Sequence, residues 1–219
     1  MRNSCFSILY GDQNQPRSTL TLLSAPALEA VEYLDIKFNG SVYHQSIYKG
    51  QPNPELDAAW DKLVFRSESP TPISSEILHK LKKSDSPSLV KFLDEDGGGY
   101  HTTLELTHEI HCLNMLRKAT YYEYYEATDP AIQEGPVYYR LHLDHCIEML
   151  RQRIMCTGDV GLITSHWVKG HKLPYPDFNT WHRCRNVDKI WAWNDEHAVH
   201  IPWSHLVRSG DAVDLEEAP

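Results

Sequence analysis

No apolar run in this sequence approaches the roughly 18–20 residues needed to cross a bilayer. The first ten residues lack the long apolar core and small-residue cleavage site of a secretory signal. The chain is therefore expected to be soluble, with no visible address. Basic residues are scarce, with 21 Lys and Arg against 30 Asp and Glu and a formal net charge of -9. That balance argues against nucleic acid or an anionic membrane surface as a partner. Cysteine is limited to five positions, Cys5, Cys112, Cys146, Cys156 and Cys184. An oxidising compartment would allow two disulfides and a leftover Cys5, whereas a reducing one would leave core thiols or metal ligands. Zinc-finger spacing and the Cys-x-x-Cys-His of c-type haem attachment are missing. So is the zincin pattern His-Glu-x-x-His: after His108-Glu109 the next histidine arrives one position too early. No low-complexity segment or linker divides the chain.

What is present suits a globular protein with a real core: 41% hydrophobic residues, 23% charged, six Trp and twelve Tyr. The pattern predicts a flexible arm over residues 1–25, one domain over 26–205 and a flexible tail over 206–219. The fold class expected is α+β, mainly helical, with short strands before two long helices. Val31–Tyr43 reads as extended segments about an Asn39-Gly40 hairpin turn. Asn53-Pro54-Glu55 opens a helix over about 54–64 that should bury Leu56, Trp60 and Leu63 or Val64. Ser74 or Ser75 caps a short helix through about Lys82. Ser88–Asp94 and Gly99–Leu104 read as two strands joined by a glycine turn. The long helices are expected from about Glu105 to Tyr125 and from about Val137 to Cys156, the second closed by Gly158. A last helical patch falls near Arg185–His197.

Both long helices carry the same ten-residue pattern, HxxHCxxMLR. It runs from His108 to Arg117 and again from His142 to Arg151, with six of the ten positions identical. The 34-residue spacing is that of tetratricopeptide arrays, but the remaining residues of that pattern are missing. On a helix, positions i, i+3, i+4 and i+7 share one face. Each copy thus lays two imidazoles, a thiol and a thioether along one stripe. Four histidines, His108, His111, His142 and His145, with Cys112 and Cys146, form a ligand set that suits a transition metal. Imidazole accepts Cu, Zn, Fe or Ni, while thiolate and thioether pull toward Cu(I) or Zn. Met115 and Met149 read first as core filler.

Cys112 and Cys146 admit two roles, a disulfide clamping the helices or thiolates in the coordination shell; Cys156 and Cys184 would then form a second pair. Asp144 and Glu109 read as solvent-facing charges before they read as partners for imidazole N–H groups. His166 and His182 read first as surface or Trp-packed histidines and second as further ligands, and Trp181, Trp191 and Trp193 read as core before they read as a substrate platform lining the cleft. A tight hairpin would leave the two His pairs roughly 9–13 Å apart along the axis. They meet only if the connection runs back along the first helix or the helices cross steeply. Otherwise each pair holds its own ion, or a site forms across a dimer.

Over about residues 26–195 the chain resembles the fungal UstYa-like family, the oxidases first associated with ustiloxin-type ribosomal peptides. The resemblance rests on Tyr48-Lys-Gly50, Pro54-Glu55-Leu56-Asp57-x-x-Trp60, His108-x-x-His111-Cys112-Leu113 and His142-x-x-His145-Cys146-Ile147. It continues through Leu150-Arg151-Gln152, Met155-Cys156-x-x-Asp159 and Trp181-His182-x-Cys184-Arg185-Asn186. It implies an O₂-dependent oxidation of a peptide, polyketide or related natural-product intermediate in fungal secondary-metabolite biosynthesis: cyclisation, hydroxylation, dehydrogenation or halogenation. The metal implied is copper, ahead of zinc or iron, held by His108, His111, His142 and His145. Members usually begin with a membrane-spanning helix facing the secretory lumen, and none is visible here. A homo- or hetero-oligomer with another such protein is a further expectation. Two rivals remain at this stage. One is a non-catalytic accessory subunit stabilised by zinc, and the other a metal-free cyclase or dehydratase using His as acid and base.

Overall fold

The computed structural model describes residues 25–65, 69–201, 205, 206, 208 and 210–217. The arm expected over residues 1–25 lies outside them except for Ala25, and the expected tail is described only in part. A 3₁₀ turn, Pro26–Ala30, leads into β1 (Tyr33–Lys37). The first α-helix, α1 (Pro54–Phe65), forms where expected because its start is capped. The Asn53 Oδ1 accepts from the Leu56 N–H at 2.9 Å, and Glu55 and Asp57 occupy the first turn. Leu56, Trp60 and Val64 recur every four residues and are its buried stripe. β2 (Thr71–Ile73) precedes α2 (Ser75–Lys80), whose N-cap is Ser74.

β3 (Tyr100–Thr102) pairs antiparallel with β2, not with a full strand at 88–94. That segment supplies one bridge, Lys91 to Tyr100, before a 3₁₀ turn at Asp94–Asp96. The helix expected over 105–125 divides into α3 (Glu105–Ala119) and α4 (Tyr122–Tyr125). Thr120 and Tyr121 are weak helix formers, and Tyr121 leaves the helical region at φ -129, ψ 43. α5 (Pro130–Gln133) is capped by Asp129. α6 (Pro136–Thr157) runs to Gly158, which closes it in the left-handed region at φ 49.

Three strands follow the long helices rather than precede them: β4 (Thr164–His166), β5 (Tyr175–Asp177) and β6 (Trp181–Arg185). β4 pairs with β5. β6 pairs antiparallel with β1, Tyr33 facing Arg185 and Lys37 facing Trp181. The hairpin expected at Asn39-Gly40 is therefore not made. Gly40 serves a close crossing instead, since a Cβ there would lie 2.2 Å from the Phe178 Cβ, and its N–H bonds Asn179 Oδ1 at 3.2 Å. The last helix, α7 (Val187–His197), packs on the 26–30 turn and β2. Its fully buried Asn194 accepts from the Thr71 hydroxyl at 3.1 Å and so carries no unmet polar atom at Oδ1.

The architecture is mainly helical α+β. Its larger core lies between α3 and α6, where Cys112, Met115, Tyr125, Ile132, Tyr139, Leu143 and Cys146 are buried together. At about 25 cal/mol per Å² of apolar surface removed from water, this cluster is what holds the two repeat-bearing helices in register. No helix among the described residues is long and apolar enough to cross a membrane.

Candidate functional site

α3 and α6 run antiparallel, and the connection folds back on itself through α4 and α5. This removes the axial offset that a tight hairpin would impose. His108 meets His145 with Nε2 to Nε2 at 3.3 Å and ring centroids 5.2 Å apart. His111 meets His142 with centroids 5.8 Å apart. The two pairs are exchanged by a local two-fold axis, because His108 and His142 are equivalent in the repeat, as are His111 and His145. His142 and His145 stand 6.3 Å apart between centroids, so the pairs sit one helical turn from each other. All four expected histidines are brought together.

The cluster lies at the protein surface, with His145 exposed and the other three half-buried. Burial pulls the His111 imidazole below its ordinary range, and the neighbouring His142 and His108 add like-charge repulsion. It is therefore held neutral, the form in which an imidazole can ligate a metal or accept a proton. The Nδ1 of His142 is buried without a hydrogen-bond partner, an unmet polar atom inside the cluster. Tyr138, one turn before His142, stands edge-on to it at 6.1 Å.

Among the described residues no three His, Cys, Asp or Glu side chains are drawn in closely enough to hold an ion as they stand. The imidazoles are gathered in twos. Two nitrogens sharing one tetrahedral ion at about 2.0–2.1 Å lie about 3.3–3.4 Å apart. The His108–His145 separation suits such an ion, and the donor set suits copper or zinc.

The sulfur groups lie beneath the histidines. Cys112 and Cys146 are both 0% exposed, and no disulfide joins them: Cys112, Cys146, Cys156 and Cys184 are all free thiols. Burial, with contact from Cys146, pushes the Cys112 thiol from 9.0 up to about 12, so it stays protonated at neutral pH. Its Sγ lies 3.5 Å from His108 Nε2, whereas Cys146 Sγ lies 3.9 Å from Met115 Sδ. Met115 is core, as expected, and Met149 is half-buried.

The remaining candidates are engaged elsewhere. Asp144 pairs with Arg140 on its own helix, and Glu109 bonds Arg153 across the helix pair at 2.9 Å. His166 faces Asp177 at 3.6 Å. His182, a candidate for a further ligand, has both ring nitrogens occupied, by Asp159 and Thr180, and does not join the cluster. Trp191 and Trp193 are core, but Trp181 is 67% exposed on β6.

One group escaped the sequence reading. Arg117, the last residue of the first repeat, donates to Asp57 Oδ1 at 2.8 Å, to the Tyr125 hydroxyl at 2.7 Å and to Asn114 Oδ1 at 2.9 Å. Tyr125 in turn donates to Asp57 Oδ1 at 2.6 Å. The signal was in the Asp57 of Pro54-Glu55-Leu56-Asp57, an acid on the buried side of α1.

A family model described as "Mycotoxin biosynthesis protein UstYa" matches residues 5–197. Among curated relatives, the UstYa family oxidase aprY of Aspergillus flavus is 32% identical, over 87% of this chain and 60% of its own length. The UstYa family oxidase phomYc of Diaporthe leptostromiformis is 33% identical, over 78% of this chain and 66% of its own. The transacylase cctO of Talaromyces islandicus is 30% identical, over 80% and 60%. The chain thus spans about 60–66% of the length of these relatives. No solved structure matches. With the model covering nearly the whole chain and both repeats inside it, this protein belongs to the UstYa family.

Proposed function

We propose that the chain is a metal-dependent oxidase of fungal secondary-metabolite biosynthesis, using copper and O₂ on a peptide, polyketide or related intermediate. The observation that carries the proposal is the facing of two imidazole pairs, one already at a separation suited to sharing an ion. The oxidase names of the relatives support the same reaction class. His108, His111, His142 and His145 would hold the metal; copper bound there supplies one-electron redox chemistry toward O₂. The chain's own contributions are positional and electrostatic. The protonated Cys112 and Cys146 thiols close the helix interface and keep water from beneath the rings. Burial keeps His111 neutral and ready to ligate. The exposed Val137, Tyr138 and Leu141 beside His142 line a shallow apolar hollow in which an intermediate can rest.

The test is metal analysis of purified protein followed by O₂ consumption with and without added copper. Copper-dependent uptake that disappears in His111→Ala and His145→Ala, with helical circular dichroism retained, is the expected result. Stoichiometric zinc with no copper-dependent uptake would replace the oxidase with a zinc-stabilised accessory subunit. A second reading, metal-free group transfer by imidazole acid–base chemistry, is favoured by the relative named a transacylase and by the neutral His111. Turnover that survives chelation would select it.

A further inference from the structure

Away from the imidazole cluster, three side chains form a relay at the β1–β6 sheet. The His182 Nδ1 lies 2.9 Å from Asp159 Oδ2, and its Nε2 lies 2.8 Å from the Thr180 hydroxyl. Thr180 and His182 are two residues apart on extended chain, so their side chains share a face. Phe38, the residue after β1, stacks on the imidazole at 3.8 Å between centroids and 23° between planes, fixing the ring. Asp159 is fixed in turn by the Gly161 N–H, which donates to its Oδ1 at 2.7 Å.

These contacts settle the tautomer. A carboxylate only accepts, so the proton of a neutral His182 sits on Nδ1, and Nε2 is a lone pair. The Thr180 hydroxyl must therefore donate to Nε2, leaving its oxygen lone pairs free. This is the arrangement of a nucleophilic hydroxyl, a base and an orienting carboxylate, which is recognised by geometry and roles rather than by chain order. A hollow lined by Asp35, Trp181, His182 and Arg183 lies at the same strand, where Trp181 and Arg183 alternate with Thr180 and His182 and so face the other side of the sheet.

We infer that Asp159, His182 and Thr180 form a second reactive site, an acyl-transfer triad for carboxylic esters or thioesters. Thr180 Oγ bonds to the acyl carbon while its proton passes to His182 Nε2. The bond from that carbon to the leaving oxygen or sulfur breaks, and the same proton leaves with the alcohol or thiol. An incoming hydroxyl, amine or water then gives its proton to Nε2 and takes the acyl group, which restores the Thr180 hydroxyl. No electron is gained or lost, and no metal is required. The inference is therefore independent of the oxidase reading and stands or falls separately.

The experiment uses the full chain, stripped of metal by chelation, with p-nitrophenyl acetate as the probe. A burst of p-nitrophenolate is expected, with an acetyl group located by mass spectrometry on the peptide containing Thr180. Thr180→Val should abolish the burst and Thr180→Ser should keep it. Asp159→Asn, at an exposed position, should slow it about 10²- to 10⁴-fold. Equal release from the parent and Thr180→Val, or acetylation only at lysines or at His182 itself, overturns the proposal.

Discussion

The two copies of HxxHCxxMLR begin alike and end differently. In their first halves each histidine has a counterpart across the local two-fold, and Cys112 and Cys146 are equally buried. In their second halves Arg117 is 12% exposed and ties three elements together, whereas Arg151 pairs with Glu148 on its own helix at 2.7 Å. Antiparallel packing explains the split. Residues near the crossing point see each other, while residues toward the C-terminal ends diverge to opposite ends of the helix pair. The ends are not equivalent: α1 and the folded connection cover one, and the last turns of α6 are exposed at the other. Identity of sequence fixes the centre, and surroundings decide what the rest becomes.

The sharpest way to break this comparison is to remove two-fold mates one at a time. His108→Ala and His142→Ala should each lower copper-dependent O₂ uptake by about 10²-fold or more, and by similar factors. A large effect from one and none from its mate would end the claim of equivalence. Next in size, Arg117→Ala should cost about 3 kcal/mol in urea unfolding, since it strands Asp57 among packed groups. Arg151→Ala should leave the midpoint where it was, and equal losses would contradict the asymmetry.

A pH titration of stability sharpens the symmetric half. Because the folded-state Cys112 thiol is held up at about 12 against 9.0 for a free one, the unfolded chain loses that proton first. The contribution is therefore intact below pH 9.0, and it declines as pH climbs from there toward 12. Thermal midpoints should show that decline in the parent and less of it in Cys112→Ala. In the same window iodoacetamide should label the exposed Cys156 ahead of Cys112 and Cys146. Smallest of all, Glu109→Gln should cost about 1 kcal/mol or less, because the Arg153 partner it loses is 44% exposed and screened by water.

Features with local signals were legible. The Asn53, Ser74 and Gly158 caps marked helix ends, and the HxxH spacing placed each histidine pair on one face. The meeting of the pairs was only half legible, since it turned on how the connection folds. Its own signals, Asp129 before Pro130 and the weak helix formers at Thr120-Tyr121, were present but local. What escaped was long-range pairing. Gly40 looked like a turn residue because nothing nearby in sequence announces Phe178, and β1 carries no mark that its partner is β6. Arg117 and Asp57 likewise belong to separate motifs, and Thr180, His182 and Asp159 are joined only by the β1–β6 pairing and the turn after α6.

The exposure of His145 bears on traffic. Among the described residues nothing closes over this side of the cluster, so ions, chelators, dissolved gas and bulk water would reach a metal held there at the pace of diffusion. On the proposed oxidase reading the intermediate itself would serve as the lid, and compounds too small to cap the opening would leave the rings wet and the chemistry leaky.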